Sequence, residues 1–227
     1  MMLVIEGFLD TRELADYRSR LEQMRWQSGS RTAGGLSALA KRNEQADPAS
    51  KEAKDLSNRL LRKMGHHATL VSACLPHRIH PPVFNRYGLD QSYGTHVDSA
   101  IMPMGNTGQV LRSDVSMTLF LSAADEYDGG ELVIEGESGA QSVKLEAGDL
   151  VLYPSGRLHR VNPVTRGERL AAITWIQSFL GDAHSRSLLF ELDQSIQSLT
   201  RRGTTDEADL LRLSSVYHNL VRHLAQV

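Results

Sequence analysis

The chain has 227 residues, 41% of them hydrophobic and 23% charged, with a formal net charge of −2. That balance describes a globular protein and gives no electrostatic footprint for nucleic acid or an anionic membrane. Its single cysteine, Cys74, excludes an intramolecular disulfide, the opening Met1-Met2-Leu3-Val4-Ile5-Glu6 lacks the basic and apolar regions of a signal peptide, and no apolar run approaches the roughly 20 residues that cross a bilayer, so a cytoplasmic protein with neither nucleic-acid nor membrane partners is expected.

Near the N-terminus, Asp10-Thr11-Arg12-Glu13 has the form of a capping box, and Leu14, Tyr17, Leu21 and Met24 then recur at helical spacing, which predicts an amphipathic helix over residues 11–24. Asp47-Pro48 gives a second start signal, with proline at the first helical position and Ala53, Leu56, Leu60 and Met64 along one apolar stripe. Between them, Gln27 to Gln45 is rich in Gly, Ser and Ala and reads as a loop, either folded over a cleft or mobile.

From Pro82 onward, short apolar runs punctuated by glycine replace the helical period, at residues 83–87, 95–101, 115–122, 131–135, 142–145, 149–153, 158–162 and 169–177. Such a series of short strands separated by turn signals predicts a sandwich or jelly roll. After Gly181 the helical period returns, first with Leu188, Leu189, Leu192, Ile196 and Leu199. Arg201-Arg202-Gly203 suits a helix end, Thr204 or Thr205 with Asp206 and Glu207 suits the next start, and Leu210, Leu213, Tyr217, Leu220 and Leu224 form the last stripe. The expected architecture is mainly β with flanking helices: an N-terminal helical support region (1–80), a β domain (81–180) and a C-terminal helical hairpin (181–227). The last stripe fits two heptads, which serve either packing on the chain's own domain or a homo-oligomer through the helical ends.

Within the β region, His96-Val97-Asp98 sets an imidazole and a carboxylate two residues apart, an arrangement that shares one face of a strand. His159 follows the turn Pro154-Ser155-Gly156, and Arg169 follows Arg166-Gly167, a hairpin expected to put histidine and arginine on neighbouring strands. Two imidazoles and one carboxylate on a single face of an octahedron hold Fe(II) and leave adjacent positions for an organic cosubstrate and O₂. A guanidinium beside that centre suits the far carboxylate of a dicarboxylic acid, which points to 2-oxoglutarate. Each residue also has an ordinary structural role: a surface charge for Arg169, a carbonyl-satisfied core histidine for His159, a turn or cap for Asp98. Their combination carries the metal reading.

Tyr87 is a further candidate at the cosubstrate carboxylate, with a buried strand tyrosine as its alternative, and Thr118 ranks below it. Met102 to Arg112, with Pro103, Gly105, Asn106 and Gly108, reads as a substrate lid or a surface loop, and His80 lies close enough in sequence to line a cleft. The residues alone leave two competing readings, a cupin-like Mn or Zn enzyme and a non-catalytic iron- or ligand-sensing module. Arg169 argues against the first.

With these residues in place, the chain resembles the PKHD-type hydroxylases, Fe(II)/2-oxoglutarate dioxygenases of the prolyl 4-hydroxylase-like group, and in particular their bacterial iron-uptake-associated branch. The resembling stretches are Asn85-Arg86-Tyr87-Gly88, Tyr93-Gly94-Thr95-His96-Val97-Asp98, Arg112-Ser113-Asp114 leading into Ser116 to Leu121, Asp128-Gly129-Gly130-Glu131-Leu132, and Gly148-Asp149 through Pro154, His159 and Arg169. The resemblance implies a double-stranded β-helix, iron ligation by His96, Asp98 and His159, and 2-oxoglutarate anchored by Arg169. It also implies ascorbate as the reductant for oxidised iron, and hydroxylation of a peptide or small molecule with release of succinate and CO₂. It does not make that substrate a prolyl residue.

Overall fold

The computed structural model describes residues 1–32, 40–105, 108–136 and 139–226. Numbered in chain order, the strands of the larger sheet run β1 (Leu3–Ile5), β14 (Leu150–Pro154), β10 (Val115–Phe120), β17 (Arg169–Ser178), β6 (Val83–Tyr87), β4 (Glu44–Ala46) and β2 (Trp26–Ser28), with β5 (Pro76–Ile79) on the far half of β17. The smaller sheet runs β13 (Gly139–Val143), β12 (Leu132–Gly136), β15 (His159–Val161), β7 (Ser92–His96) and β3 (Lys41–Arg42). Two short ribbons, β8 (Ile101–Pro103) with β9 (Val110–Arg112) and β11 (Asp128–Gly129) with β16 (Val164–Arg166), complete the β structure among the described residues. Every pairing is antiparallel. The expected jelly roll with flanking helices is borne out.

Strand parity in the larger sheet decides what faces where. Phe84, Met117, Leu119, Leu150, Leu152, Leu170, Ala172 and Ile176 pack into one core together with the N-terminal helices. The alternate residues Tyr87, Phe120, Val151 and Tyr153 join Leu132, Ile134 and Val161 of the smaller sheet in a second core between the sheets. The helices α1 (Thr11–Glu22), α2 (Lys51–His66) and α3 (Ala68–Cys74) cover the outer face, burying Leu21, Leu56, Leu60, Met64 and Leu70.

The capping box of α1 forms as the sequence predicts: Glu13 N donates to Asp10 Oδ1 (2.8 Å) and Asp10 N donates to Glu13 Oε2 (3.0 Å). Helix α2 starts three residues later than Asp47-Pro48 suggests, because Ser50 is its N-cap and accepts from Ala53 N (3.1 Å), leaving Pro48 in the preceding turn. The loop expected over 27–45 is structured at both ends, by β2 with a 3₁₀ turn at Gly29–Thr32 and by β3 and β4; its residues 33–39 lie outside the described residues.

At the C-terminus, α4 (Ala183–Arg202) buries Leu189 and Phe190, and its end is closed by Gly203. Helix α5 (Glu207–Leu224) folds back along it, with Leu210, Leu213, Tyr217 and Leu224 half-buried. The chain after it is tied back to the segment following β17 and to β9, where Gln226 N donates to Phe179 O (2.7 Å) and Arg112 Nη1 to Gln226 Oε1 (2.9 Å).

Candidate active site

The smaller sheet supplies the two histidines. His96 ends β7, His159 begins β15, and the two are direct partners in the antiparallel ladder, with ring centroids 4.2 Å apart. Asp98 follows two residues later, past the end of β7, so an irregular segment rather than strand alternation turns its carboxylate toward the pair. One ligand atom from each of the three lies within 4.8 Å of the others, and His159 Nε2 stands 3.8 Å from Asp98 Oδ2.

Local backbone fixes both rings. Nδ1 of His96 is 2.8 Å from Gly94 O, and Nδ1 of His159 is 2.9 Å from Arg157 O. A carbonyl only accepts, so each Nδ1 carries the proton and each Nε2 keeps its lone pair for a metal. Tyr93 stacks on His96 at 3.5 Å between centroids, and Tyr153 meets His159 edge-on at 5.2 Å. Burial, and then the neighbouring His159, push His96 down from the ordinary 6.5 to about 4, so it is neutral near pH 7, as a ligand must be. Ser116, on the inner face of β10, donates to Asp98 Oδ2 (2.5 Å) and lies 2.7 Å from Ser155 Oγ.

Arg169 reaches the cleft from the opposing sheet. The expectation that it neighbours the His159 strand is corrected here: β16 intervenes and pairs with β11, while β17 pairs with β6 and sets Arg169 directly beside Tyr87. Arg169 is only 2% exposed; its guanidinium lies over the rings of Phe120 (5.1 Å) and Tyr87 (5.4 Å) and leaves Nε without a hydrogen-bond partner. Among the described residues no carboxylate ion-pairs with it. A buried cation in that state is costly unless an anion arrives to meet it. Burial raises the Tyr87 phenol above its usual range, against the opposing Arg169 charge, and burial likewise raises Tyr153. Both stay protonated and able to donate.

One cleft of about 430 Å³ collects all the residues singled out from the sequence: His96, Asp98, His159, Arg169, Tyr87, Thr118 and His80. The described ends of the segment 102–112, expected to be a lid or loop, pair as the β8–β9 ribbon, with Met102 opposite Leu111, and residues 106–107, Asn106 among them, lie outside the described residues. Met102, Pro103 and Gly105 form part of the cleft wall. Sequence reasoning gave no role to Lys41, Tyr93, Ser116 or Tyr153, which also line the cleft. Tyr93, Ser116 and Tyr153 lie inside the quoted resembling stretches, and that is their only signal.

The donor set suits ferrous iron: two neutral imidazole nitrogens and one carboxylate oxygen converge from one side, with the buried Arg169 cation in the same cleft. A barrel with this site defines the class of 2OG-Fe(II) oxygenases, and the superfamily model of that description matches residues 82–177. The model of the PKHD-type hydroxylase C-terminal domain matches residues 182–226. A PKHD-type hydroxylase of Shewanella frigidimarina is 51% identical over 226 residues, and one of Teredinibacter turnerae 54% identical over 226, each alignment covering 100% of both chains. Among solved structures, a Pseudomonas putida prolyl-4-hydroxylase superposes with TM-score 0.52 at 20% identity, covering 78% of this chain and 92% of its own. HygX from Streptomyces hygroscopicus, with nickel, 2-oxoglutarate and hygromycin B bound, gives TM-score 0.55 at 17% identity, covering 79% and 84%.

The chain belongs to the PKHD-type hydroxylase family. It is an oxidoreductase of the Fe(II)- and 2-oxoglutarate-dependent class.

Proposed function

We propose that His96, Asp98 and His159 hold the ferrous iron, that Arg169 with Tyr87 holds the 5-carboxylate of 2-oxoglutarate, and that the enzyme hydroxylates a small molecule or peptide in the cytoplasm. The observation that carries this reading is the buried Arg169 guanidinium, unpaired with any described carboxylate, in the cleft that holds the triad. When bound, iron and 2-oxoglutarate supply the oxidation that turns a substrate C–H into an alcohol, with succinate and CO₂ as co-products.

The chain's part is placement. Arg169 meets the far carboxylate as a planar fork between two aromatic rings, which sets the cosubstrate's direction as well as its affinity. Tyr87, protonated by virtue of its burial, donates to the same carboxylate. The Nδ1–H bonds keep both Nε2 lone pairs aimed inward, and Ser116 holds Asp98 by one oxygen. Thr118 and Tyr153 line the inner face of the larger sheet and exclude water from the chemistry. Ascorbate, as the reductant that returns oxidised iron to the ferrous state, belongs to this reading through the family resemblance.

The deciding assay is succinate formation from 2-oxoglutarate with Fe(II) under air. The intact chain is expected to support it, His159→Ala to abolish it, and Arg169→Met to restore it only at high 2-oxoglutarate. Turnover that survives His159→Ala rules the assignment out. A Mn or Zn enzyme, or a sensing module, gives no succinate at all.

A further inference from the structure

Tyr127 has no part in the proposed function, yet the fold builds a socket for it. It immediately precedes β11 and is 0% exposed, in the core between the sheets with Phe120 and Tyr87. Gly130, at φ +66°, stands where a Cβ would lie 3.0 Å from Tyr127 Cε2 and 3.1 Å from its Cδ2, so the phenol ring takes space that a side chain at 130 would need. Lys144 Nζ donates to Tyr127 O (2.7 Å) and lies 4.3 Å from the ring centroid. The turn at Gly167 closes in on the backbone, where a Cβ would stand 3.0 Å from Tyr127 Cα. A ring held by so many neighbours presents its hydroxyl in one direction.

That direction is Arg169. Burial raises the phenol above its usual range, opposed by the charge and hydrogen bonding of Arg169, so the hydroxyl stays neutral beside the cation. The Tyr127 hydroxyl and Arg169 Nε are both buried and both without a hydrogen-bond partner. They complement each other: Nε–H only donates, and a phenol oxygen accepts. An orphaned donor beside an orphaned acceptor costs free energy at both atoms, and closing the contact recovers it. A neutral acceptor also aims the fork without cancelling its charge, which a carboxylate in the same place would do. Tyr127 does not line the cleft, whereas Arg169 does, so its effect on a bound molecule passes through the arginine. We infer that Tyr127 is a positioning residue for 2-oxoglutarate: its hydroxyl takes the Arg169 Nε–H, fixes the last torsion of that side chain, and so turns the two terminal nitrogens together toward the far carboxylate. The inference rests on the oxygenase reading above.

The test uses the full chain with Zn(II), a diamagnetic ion that the same donors hold, and saturating 2-oxoglutarate, so that binding is read without turnover. The Arg169 Nε–H resonance is identified in the proton–nitrogen NMR spectrum as the one lost in Arg169→Lys. In the intact chain it is expected to exchange slowly with water and to show a nuclear Overhauser contact to the Tyr127 ring. Tyr127→Phe removes the oxygen and keeps the ring. It is expected to speed that exchange by about tenfold or more and to raise the 2-oxoglutarate dissociation constant by about fivefold or more, with melting of the metal-free chain unchanged. A rapidly exchanging Nε–H with no contact to the ring in the intact chain overturns the inference without any variant. So does a phenylalanine variant in which either the exchange or the affinity is unchanged, including one that melts lower and loses affinity while Nε–H exchanges as before, since the phenol would then serve only the fold. Absence of any Zn(II)-dependent 2-oxoglutarate binding by the intact chain overturns the oxygenase reading as well, and so separates the two failures.

Discussion

At the scale of single residues, the site works through bonds that keep its donors in one protonation state and one direction. Ser116 makes no claim on the metal, yet its 2.5 Å bond to Asp98 Oδ2 sets the angle at which that carboxylate is offered. Ser116→Ala is expected to weaken iron binding by about 10- to 100-fold, the usual cost of removing a group behind a ligand; unchanged affinity in a chelator competition would deny it that role. Arg169→Lys keeps the charge and loses the fork, and should raise the 2-oxoglutarate dissociation constant by about tenfold or more. A calorimetric titration showing no change would remove Arg169 from the cosubstrate site. His96 also gives the metal-free protein a pH signature. Its proton affinity falls on folding, from the ordinary 6.5 to about 4, so the unfolded chain binds the extra proton first. The His96 contribution to stability is therefore fully present above pH 6.5 and lost as the pH falls toward 4. Melting of the metal-free protein across that window should decline, and His96→Gln should flatten the decline; parallel curves for the two would contradict the assignment.

At the scale of elements, the turn between β16 and β17 delivers Arg169 to its place. Gly167 there has φ +72°, and a Cβ would stand 2.1 Å from Glu126 O. Gly167→Ala is expected to cost about 1–3 kcal/mol and to weaken 2-oxoglutarate binding with it, because the displaced backbone lies two residues from the arginine. Denaturant unfolding and cosubstrate titration of the same variant check both. The elements also differ in how readily the sequence reveals them. Strands β10, β14 and the first half of β17 are buried on both faces, so they read as unbroken apolar runs bounded by turn residues. Strands β3 and β4 read as loop because the inward positions of that segment carry Lys41, Asn43 and Gln45, and polar residues on both faces erase the alternation on which strand reading depends. The candidate ligands His96, Asp98 and His159 were legible through spacing inside short segments. The Ser116 hydroxyl was not: it lies 18 residues from Asp98 and meets it only when the two sheets face each other. Strand parity for Asp98 and the neighbouring-strand placement of Arg169 failed for a related reason, since β7 stops at His96 and the β11–β16 ribbon intervenes.

At the scale of the whole molecule, the helical ends and the barrel carry separate duties. Among the described residues the cleft draws no lining residue from beyond Trp175, and α5 fully buries none of its side chains. Ending the chain after Gly203 is expected to lower melting by on the order of 5 °C while Mn(II) and 2-oxoglutarate still bind. Ending it after Gly181 should abolish the folded state, because α4 buries Leu189 and Phe190 and its Arg186 donates to the carbonyls of Leu180 (2.5 Å) and Gly181 (3.0 Å). Binding lost in the shorter deletion would show that α5 supports the cleft directly. The two imidazoles, meanwhile, each lean on a carbonyl two positions back along their own stretch of chain. A clamp that travels with its histidine owes nothing to the rest of the lining. Mutational drift can recolour the walls around the metal and trade one guest for another, while the nitrogen that faces inward stays the same.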